Sequence, residues 1–312
     1  MGRSAAGAEG AKVAGPEWLR REDLLKEATA ALSGKKRKRG SAEDDGAPWR
    51  VVKRRRTAML VRVPMAMMTV PRLQRLVDAC RAVFGGGRSR APPAPDVVRL
   101  ISGLMDRIGP DDVGLWDDLG FFLNTNAAGG RQNPPIITCK NILQCKDFTI
   151  AVFFLPLRAV MPLHDHPGMT VFSKVLTGSA HVEGYDWVRR PRVFRAGGSR
   201  TLAEKVLDRE FTPASGTWVL FPESGGNMHR FVAGEDAHCA FLDVIAPPYS
   251  LAEQRTCTYY KDSPCHLCRC ALSAGLTEEQ RSGGRLAWLQ EVAMPRDLRI
   301  VNLPYRGPTT IA

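Results

Sequence analysis

His164-Asp165-His166-Pro167-Gly168-Met169-Thr170-Val171-Phe172-Ser173-Lys174 sets two imidazoles one residue apart, then a proline–glycine turn, then an apolar run. In a strand, residues i and i+2 point to the same face, so the spacing predicts two imidazoles aimed in one direction, the presentation a metal ion needs. A third histidine ends a second Gly-rich stretch, Ser224-Gly225-Gly226-Asn227-Met228-His229. Around both, from Ile136 to about Val244, short runs rich in Val, Ile, Phe and Thr recur between Pro, Gly and Asp. They are Thr149 to Leu155, Thr170 to Leu176, Ala180 to Trp187, Thr217 to Phe221, His229 to Val232 and His238 to Ile245. Many short strands with turn residues between them predict a sandwich or barrel. Three neutral imidazoles without a carboxylate suit Fe(II), Zn(II) or Cu.

Outward from the barrel, helical spacing appears on the amino-terminal side. Leu73, Leu76, Val77, Cys80, Val83 and Phe84 recur on one face until Gly85-Gly86-Gly87. After Pro92-Pro93-Ala94-Pro95 a second pattern runs through Val97, Val98, Ile101, Leu104 and Met105 to Gly109-Pro110. On the carboxyl side the piece around Leu286-Ala287-Trp288-Leu289 reads as helical.

The charge is unevenly placed. Residues 1 to 63 hold 16 Lys/Arg against 8 Asp/Glu, so +8 of the net +12 lies there and the rest of the 312-residue chain carries only +4. Residues 1–69 therefore read as a disordered basic tail and 70–312 as the folded domain. Lys35-Lys36-Arg37-Lys38-Arg39 and Lys53-Arg54-Arg55-Arg56 have the spacing of a bipartite nuclear address. The start lacks a hydrophobic secretory core, Ala6 stands where a myristoylation signal wants Ser or Thr, and Glu9, Glu17, Glu22, Asp23 and Glu27 do not suit a transit peptide. The expected location is nucleus and cytoplasm, with the eight cysteines reduced. No run reaches the roughly 18 to 20 apolar residues of a membrane helix, so no membrane role is expected.

The two histidine motifs resemble those of the cupin barrel, a jelly-roll of β-strands, except that Thr170 and Val171 stand where the first motif normally carries a glutamate ligand. The detailed strings narrow the resemblance. The His164–Lys174 stretch, Tyr185-Asp186-Trp187-Val188, Ser224–His229, Leu242-Asp243-Val244, Pro247-Pro248-Tyr249, Cys257-Thr258-Tyr259-Tyr260 and Leu303-Pro304-Tyr305-Arg306-Gly307-Pro308 are similar to the plant cysteine oxidases, relatives of the animal 2-aminoethanethiol dioxygenase, over roughly residues 70 to 310. The resemblance implies a mainly β cupin domain with amino-terminal helices. It implies one Fe(II) per chain on His164, His166 and His229, with O2 as co-substrate and Asp243, Tyr249 and Cys257 in or near the active site. The implied reaction converts an amino-terminal cysteine of hypoxia-response transcription factors to the sulfinic acid, a mark for arginylation and degradation. A monomer with no direct nucleic-acid role is expected.

Alternatives stay open on the residues themselves. A small-molecule thiol dioxygenase or another metal-dependent enzyme would use the same barrel, and a nuclear cupin scaffold would use the basic tail to bind phosphates. A buried Asp243 needs a partner, either a ligand histidine or a substrate amine, or else caps the turn at Pro247-Pro248. Cys257 either forms a thioether with a tyrosine or is a small buried apolar residue. Gln254 replaces the family's usual glycine, and Thr177 its usual tyrosine. Cys265-His266-Leu267-Cys268-Arg269-Cys270 is half a zinc site without a second half. His181 and His238 have no partner spacing. Arg230, next to His229, should face away from the pocket.

Overall fold

The computed structural model describes residues 70–86, 92–116, 135–188, 200–265 and 284–308. The basic clusters, together with His266, Cys268 and Cys270, lie outside these residues. Apart from Val70, the described residues all fall in one compact unit, Pro71–Ala312.

Among the described residues two helices come first, α1 (Arg72–Phe84) and α2 (Pro95–Met105). On α1 the apolar stripe Leu73, Leu76, Val77 and Cys80 is buried. Pro95 opens α2, where a missing N–H costs nothing, and Ile101 and Met105 are its fully buried residues. Twelve strands follow among the described residues: β1 (Ile136–Gln144), β2 (Thr149–Leu155), β3 (Val160–His164), β4 (Thr170–Thr177), β5 (Ala180–Trp187), β6 (Arg200–Phe211), β7 (Trp218–Leu220), β8 (Met228–Ala233), β9 (Cys239–Ala246), β10 (Tyr259–Pro264), β11 (Leu286–Val292) and β12 (Arg299–Asn302). One sheet has the order β12-β1-β2-β9-β4-β7. The other, β10-β11-β6-β5-β8-β3, closes on itself where Tyr259 pairs with His164. Pairing is antiparallel except between β1 and β12. The result is a jelly-roll barrel with the two helices on one side.

Strand alternation divides the core. On β9, Ala240, Leu242, Val244 and Ala246 pack with Phe172 and Leu176 of β4 against the helices, while Cys239, Phe241 and Ile245 turn into the barrel with Val171 and Val175. Because both faces are covered, β9 is buried along its whole length. Aromatic rings fill the interior: Phe231 stacks on Phe241 at 4.5 Å, Phe241 on Phe153 at 5.2 Å, and Phe211 meets Trp218 at 4.1 Å between centroids.

Two expectations are corrected. Leu286–Leu289 is the start of β11, not a helix: an apolar run of four fits either period, and pairing with β10 on one side and β6 on the other decides it. The His-x-His pair is not carried on one strand, since β3 ends at His164 and His166 lies beyond it.

A buried lysine ties the helices to the barrel. Lys174, 6% exposed, donates from Nζ to the carbonyls of Asp106 and Ile108 at 2.8 and 2.7 Å, just past the end of α2. Lys174→Met leaves both carbonyls without that donor and should lower stability by about 1–3 kcal/mol. A urea unfolding midpoint equal to wild type would contradict this.

Candidate metal centre

His164 at the end of β3 stands directly opposite His229 on β8. On β8 the inward parity of Phe231 and Ala233 is shared by His229, so alternation aims that imidazole into the barrel. His166 reaches the same place from the turn after β3. Ring centroids are 5.1 Å apart for His164–His166, 4.7 Å for His164–His229 and 5.0 Å for His166–His229, and one ligand nitrogen from each lies within 4.8 Å of the others.

The turn holds His166 in place by bonds that strand periodicity does not supply. Asp165 points the opposite way, toward β10. Its Oδ1 accepts the Thr258 N–H at 2.8 Å, its Oδ2 accepts the Tyr260 hydroxyl at 3.1 Å, and its own N–H donates to the Thr258 carbonyl at 3.1 Å. The His166 N–H donates to Asn227 Oδ1 at 3.0 Å.

Outer partners also set the tautomers. His164 Nδ1 lies 2.8 Å from the Pro162 carbonyl, which can only accept, so Nδ1 carries the proton and Nε2 offers its lone pair. Tyr249 donates its hydroxyl proton to the Asp165 carbonyl at 2.7 Å, and the same oxygen lies 2.9 Å from His166 Nδ1. His166 Nδ1 is then the donor, and again Nε2 is left free. Burial holds the pKa of all three imidazoles below the ordinary histidine range, and for His166 and His229 the neighbouring imidazoles lower it further. Three neutral, buried, convergent imidazoles with no carboxylate among them fit a divalent transition metal such as Fe(II).

Asp243 is placed mid-strand on β9 facing the barrel interior, which excludes the cap at Pro247-Pro248. Its Oδ1 accepts the Ser173 hydroxyl at 2.6 Å, and burial, offset in part by that bond, raises its pKa to about 7. The Cys257 thiol is in hydrogen-bonding contact with the Tyr249 and Tyr259 hydroxyls and is pushed up to about 12 by burial, so it is a protonated thiol at neutral pH. Gln254 has φ +56°, a left-handed conformation, which explains why glycine suits that position.

Other residues stand where expected but outside the centre. Arg230 faces away from His229, bonded to Glu183 and bidentate to Asp262 at 3.0 and 3.2 Å. His238 Nδ1 accepts the Leu157 N–H. His181 meets Asp208 at 2.8 Å, and although these two and Glu183 form a second group with ligand spacing, Lys205 already pairs with both carboxylates.

Beside the centre lies a cleft of about 430 Å³. Asp165, Asp186, Glu223, Glu291, Trp187 and Tyr260 contribute to its walls, and among the described residues no Lys or Arg lines it. Sequence alone does not single out Asp165, Asp186 and Asn227 as parts of the site, because their partners are distant in it. Their only local signal is a polar residue within each histidine motif and in Tyr185-Asp186-Trp187.

Comparison with known proteins identifies the family. The chain is 40% identical over 241 residues to plant cysteine oxidase 2 of Arabidopsis thaliana, covering 76% of this chain and 82% of that one. It is likewise 40% identical over 238 residues to plant cysteine oxidase 1 of Arabidopsis thaliana, covering 76% and 79%. With the 2-aminoethanethiol dioxygenase of Mus musculus it shares 28% identity over 269 residues, 77% of this chain and 96% of that one. The PCO_ADO family profile matches residues 104–310, the span from the end of α2 past β12 that builds the whole barrel, and the chain belongs to that family.

Proposed function

We propose that this protein is an iron(II) enzyme that oxidises the amino-terminal cysteine of target proteins to cysteine sulfinic acid. The coarser part, a metal-dependent dioxygenase acting on a cysteine thiol, follows from membership of the family. The observation that carries the reading is the set of three converging, neutral imidazoles. The reaction balances without a further reductant: R–SH + O2 gives R–SO2H, with the thiol sulfur supplying the electrons and both oxygen atoms retained. Bound Fe(II), held by Nε2 of His164 and His166 and by His229, supplies the one-electron chemistry that ground-state dioxygen needs to react with a thiol. Asp243, poised near neutrality in the barrel interior, is the group we assign to hold a proton there.

The cleft favours an amino terminus over the free amino acid. Carboxylates on its walls attract an α-ammonium and repel the carboxylate of free cysteine, which an amide-linked residue no longer has. Among the described residues neither nearby guanidinium is free to pair with that carboxylate: Arg230 is committed to Glu183 and Asp262, and Arg158 is exposed and paired with Glu235. Cysteamine also lacks a carboxylate, which keeps a small-molecule thiol as the second reading. Further along the same proposal, the targets are hypoxia-response transcription factors, oxidised in nucleus and cytoplasm. The oxidised end is the mark for arginylation and degradation. The basic clusters Lys35–Arg39 and Lys53–Arg56 support nuclear entry.

The test supplies the iron-loaded protein with O2 and, separately, a Cys-initiated peptide, free cysteine and cysteamine. We expect a gain of two oxygen atoms on the peptide, at least about tenfold faster than sulfinate formation from free cysteine. Preference for free cysteine would refute the proposal, and preference for cysteamine would establish the second reading.

A further inference from the structure

Asp186 lies on β5 beside Trp187, and its carboxylate gathers the turn that leads into β8. Oδ2 accepts the Gly225 N–H at 2.9 Å, and Oδ1 accepts the Gly226 N–H at 2.8 Å and the Asn227 N–H at 3.4 Å. Among the described residues no Lys or Arg forms an ion pair with it, and the nearby Glu204 has the same sign, so backbone N–H groups are what solvate this charge. The turn can present three consecutive N–H groups because Gly225 and Gly226 both take φ +84°. Gly226 also lies flat on β5: a Cβ there would meet the Gly184 Cα at 3.1 Å. Gly184 is the cross-strand partner of His229.

From the turn the Asn227 side chain continues inward. Its Oδ1 accepts the His166 N–H at 3.0 Å, and its amide donates to the Phe221 carbonyl at 2.9 Å and the Met169 carbonyl at 3.5 Å. Asn227 is 6% exposed and precedes His229 by two residues. We infer that Asp186 is a positioning residue for the metal centre: through the Gly225–Asn227 turn and the Asn227 side chain, its carboxylate fixes His229 relative to His166. The fold itself does not need this clamp. β5 and β8 are already registered from Ala180↔Ala233 to Tyr185↔Met228. What pairing leaves free is the turn before β8 and the loop holding His166, and Asp186 with Asn227 spans both. The inference rests on the reading of the three histidines as a metal centre and is independent of which thiol is oxidised.

The experiment titrates the metal-free full-length protein anaerobically with Fe(II), and in parallel with Co(II), whose visible spectrum reports ligand geometry. The set is wild type, Asp186→Ala, Asp186→Asn, Asn227→Ala and the Asp186→Ala/Asn227→Ala double variant, each checked by its metal-free melt. Either single alanine variant should melt cooperatively yet lose about 10–100-fold in metal affinity, with an altered Co(II) spectrum. The double variant should lose little more than the weaker-binding single, because either change cuts the same chain of contacts. Asp186→Asn, which keeps one acceptor, should fall between Asp186→Ala and wild type. Folded single variants within about threefold of wild type would overturn the inference, as would a double-variant loss equal to the product of the singles. If even Asp186→Asn fails to fold, the clamp serves the fold rather than the centre and the inference falls. A wild-type protein that takes up no Fe(II) would instead refute the metal centre itself.

Discussion

Alanine in place of His229 should leave the protein without bound iron and without measurable oxidation of a Cys-initiated peptide. The imidazole is 2% exposed, lies opposite His164 on the neighbouring strand, and meets Phe231 edge-on at 5.0 Å between centroids. Removing it leaves two ligands and a hole beside Phe231. The loss of metal affinity should exceed the roughly 10–100-fold that follows from losing an outer partner. His164→Ala and His166→Ala should behave alike. The control is His181→Ala, a half-exposed histidine paired with Asp208 on the outside of the sheet, which should change neither iron content nor rate. Iron content by mass spectrometry, measured with the rate on the same sample, decides the matter. Full occupancy in the His229→Ala protein would remove it from the ligand set.

Stability of the metal-free protein should fall as pH rises through the range in which Asp243 ionises in the unfolded chain but not in the folded one. An unfolded aspartate titrates near 3.9, whereas burial in the barrel lifts Asp243 to about 7. Between these values the native state holds a proton that the unfolded chain has lost, so unfolding is favoured by about 1.4 kcal/mol per pH unit, on the order of 4 kcal/mol in all. Below pH 4 both states are protonated and the contribution vanishes. Above pH 7 it is constant. The buried histidines work in the opposite sense, since their pKa values are lowered, and the difference between wild type and Asp243→Asn removes them from the comparison. Asn keeps an acceptor for the Ser173 hydroxyl but cannot ionise. The variant should therefore gain on wild type from pH 4 to 7, while its dioxygenase rate drops sharply if the carboxyl proton is used. Parallel stability curves would show that Asp243 titrates normally.

What could be read from the sequence depended on how local the deciding interaction was. The stripe Leu73, Leu76, Val77 and Cys80 announces α1 within one window, and β2 and β5 have the bounds that alternation and turn residues suggest. Asp243 stood out because a carboxylate inside an apolar run must be accounted for. Even the convergence of the three histidines was legible, although by a different geometry: His166 is aimed by Asn227, Tyr249 and the Asp165 bonds to β10, not by strand periodicity. Those partners come from three separate parts of the chain, so no single window contains the reason. β3 was hidden by Pro162, which sits in the strand where pairing with β8 shifts register. Gln254 was visible as a departure from the family, but the left-handed backbone behind it was not.

The stack of Phe153, Phe241 and Phe231, together with Phe211 and Trp218, has a steric corollary. These rings occupy the barrel's interior so fully that Phe211, Phe231 and Phe241 are at most 1% exposed. Among the described residues the barrel is thus closed at the level of these rings, a blind tube rather than a tunnel there. A blind tube can receive the tip of a polypeptide but cannot thread one, because a strand passing its bottom would need an exit that close-packed aromatic rings do not leave. On the proposed reading of a Cys-initiated substrate, such a stopper would help tell a cysteine at the end of a chain from the same residue in an extended strand, alongside the carboxylates of the cleft. On that reading, everything beyond the reacting residue would trail back out of the mouth, and the length of the trailing chain would impose no steric limit.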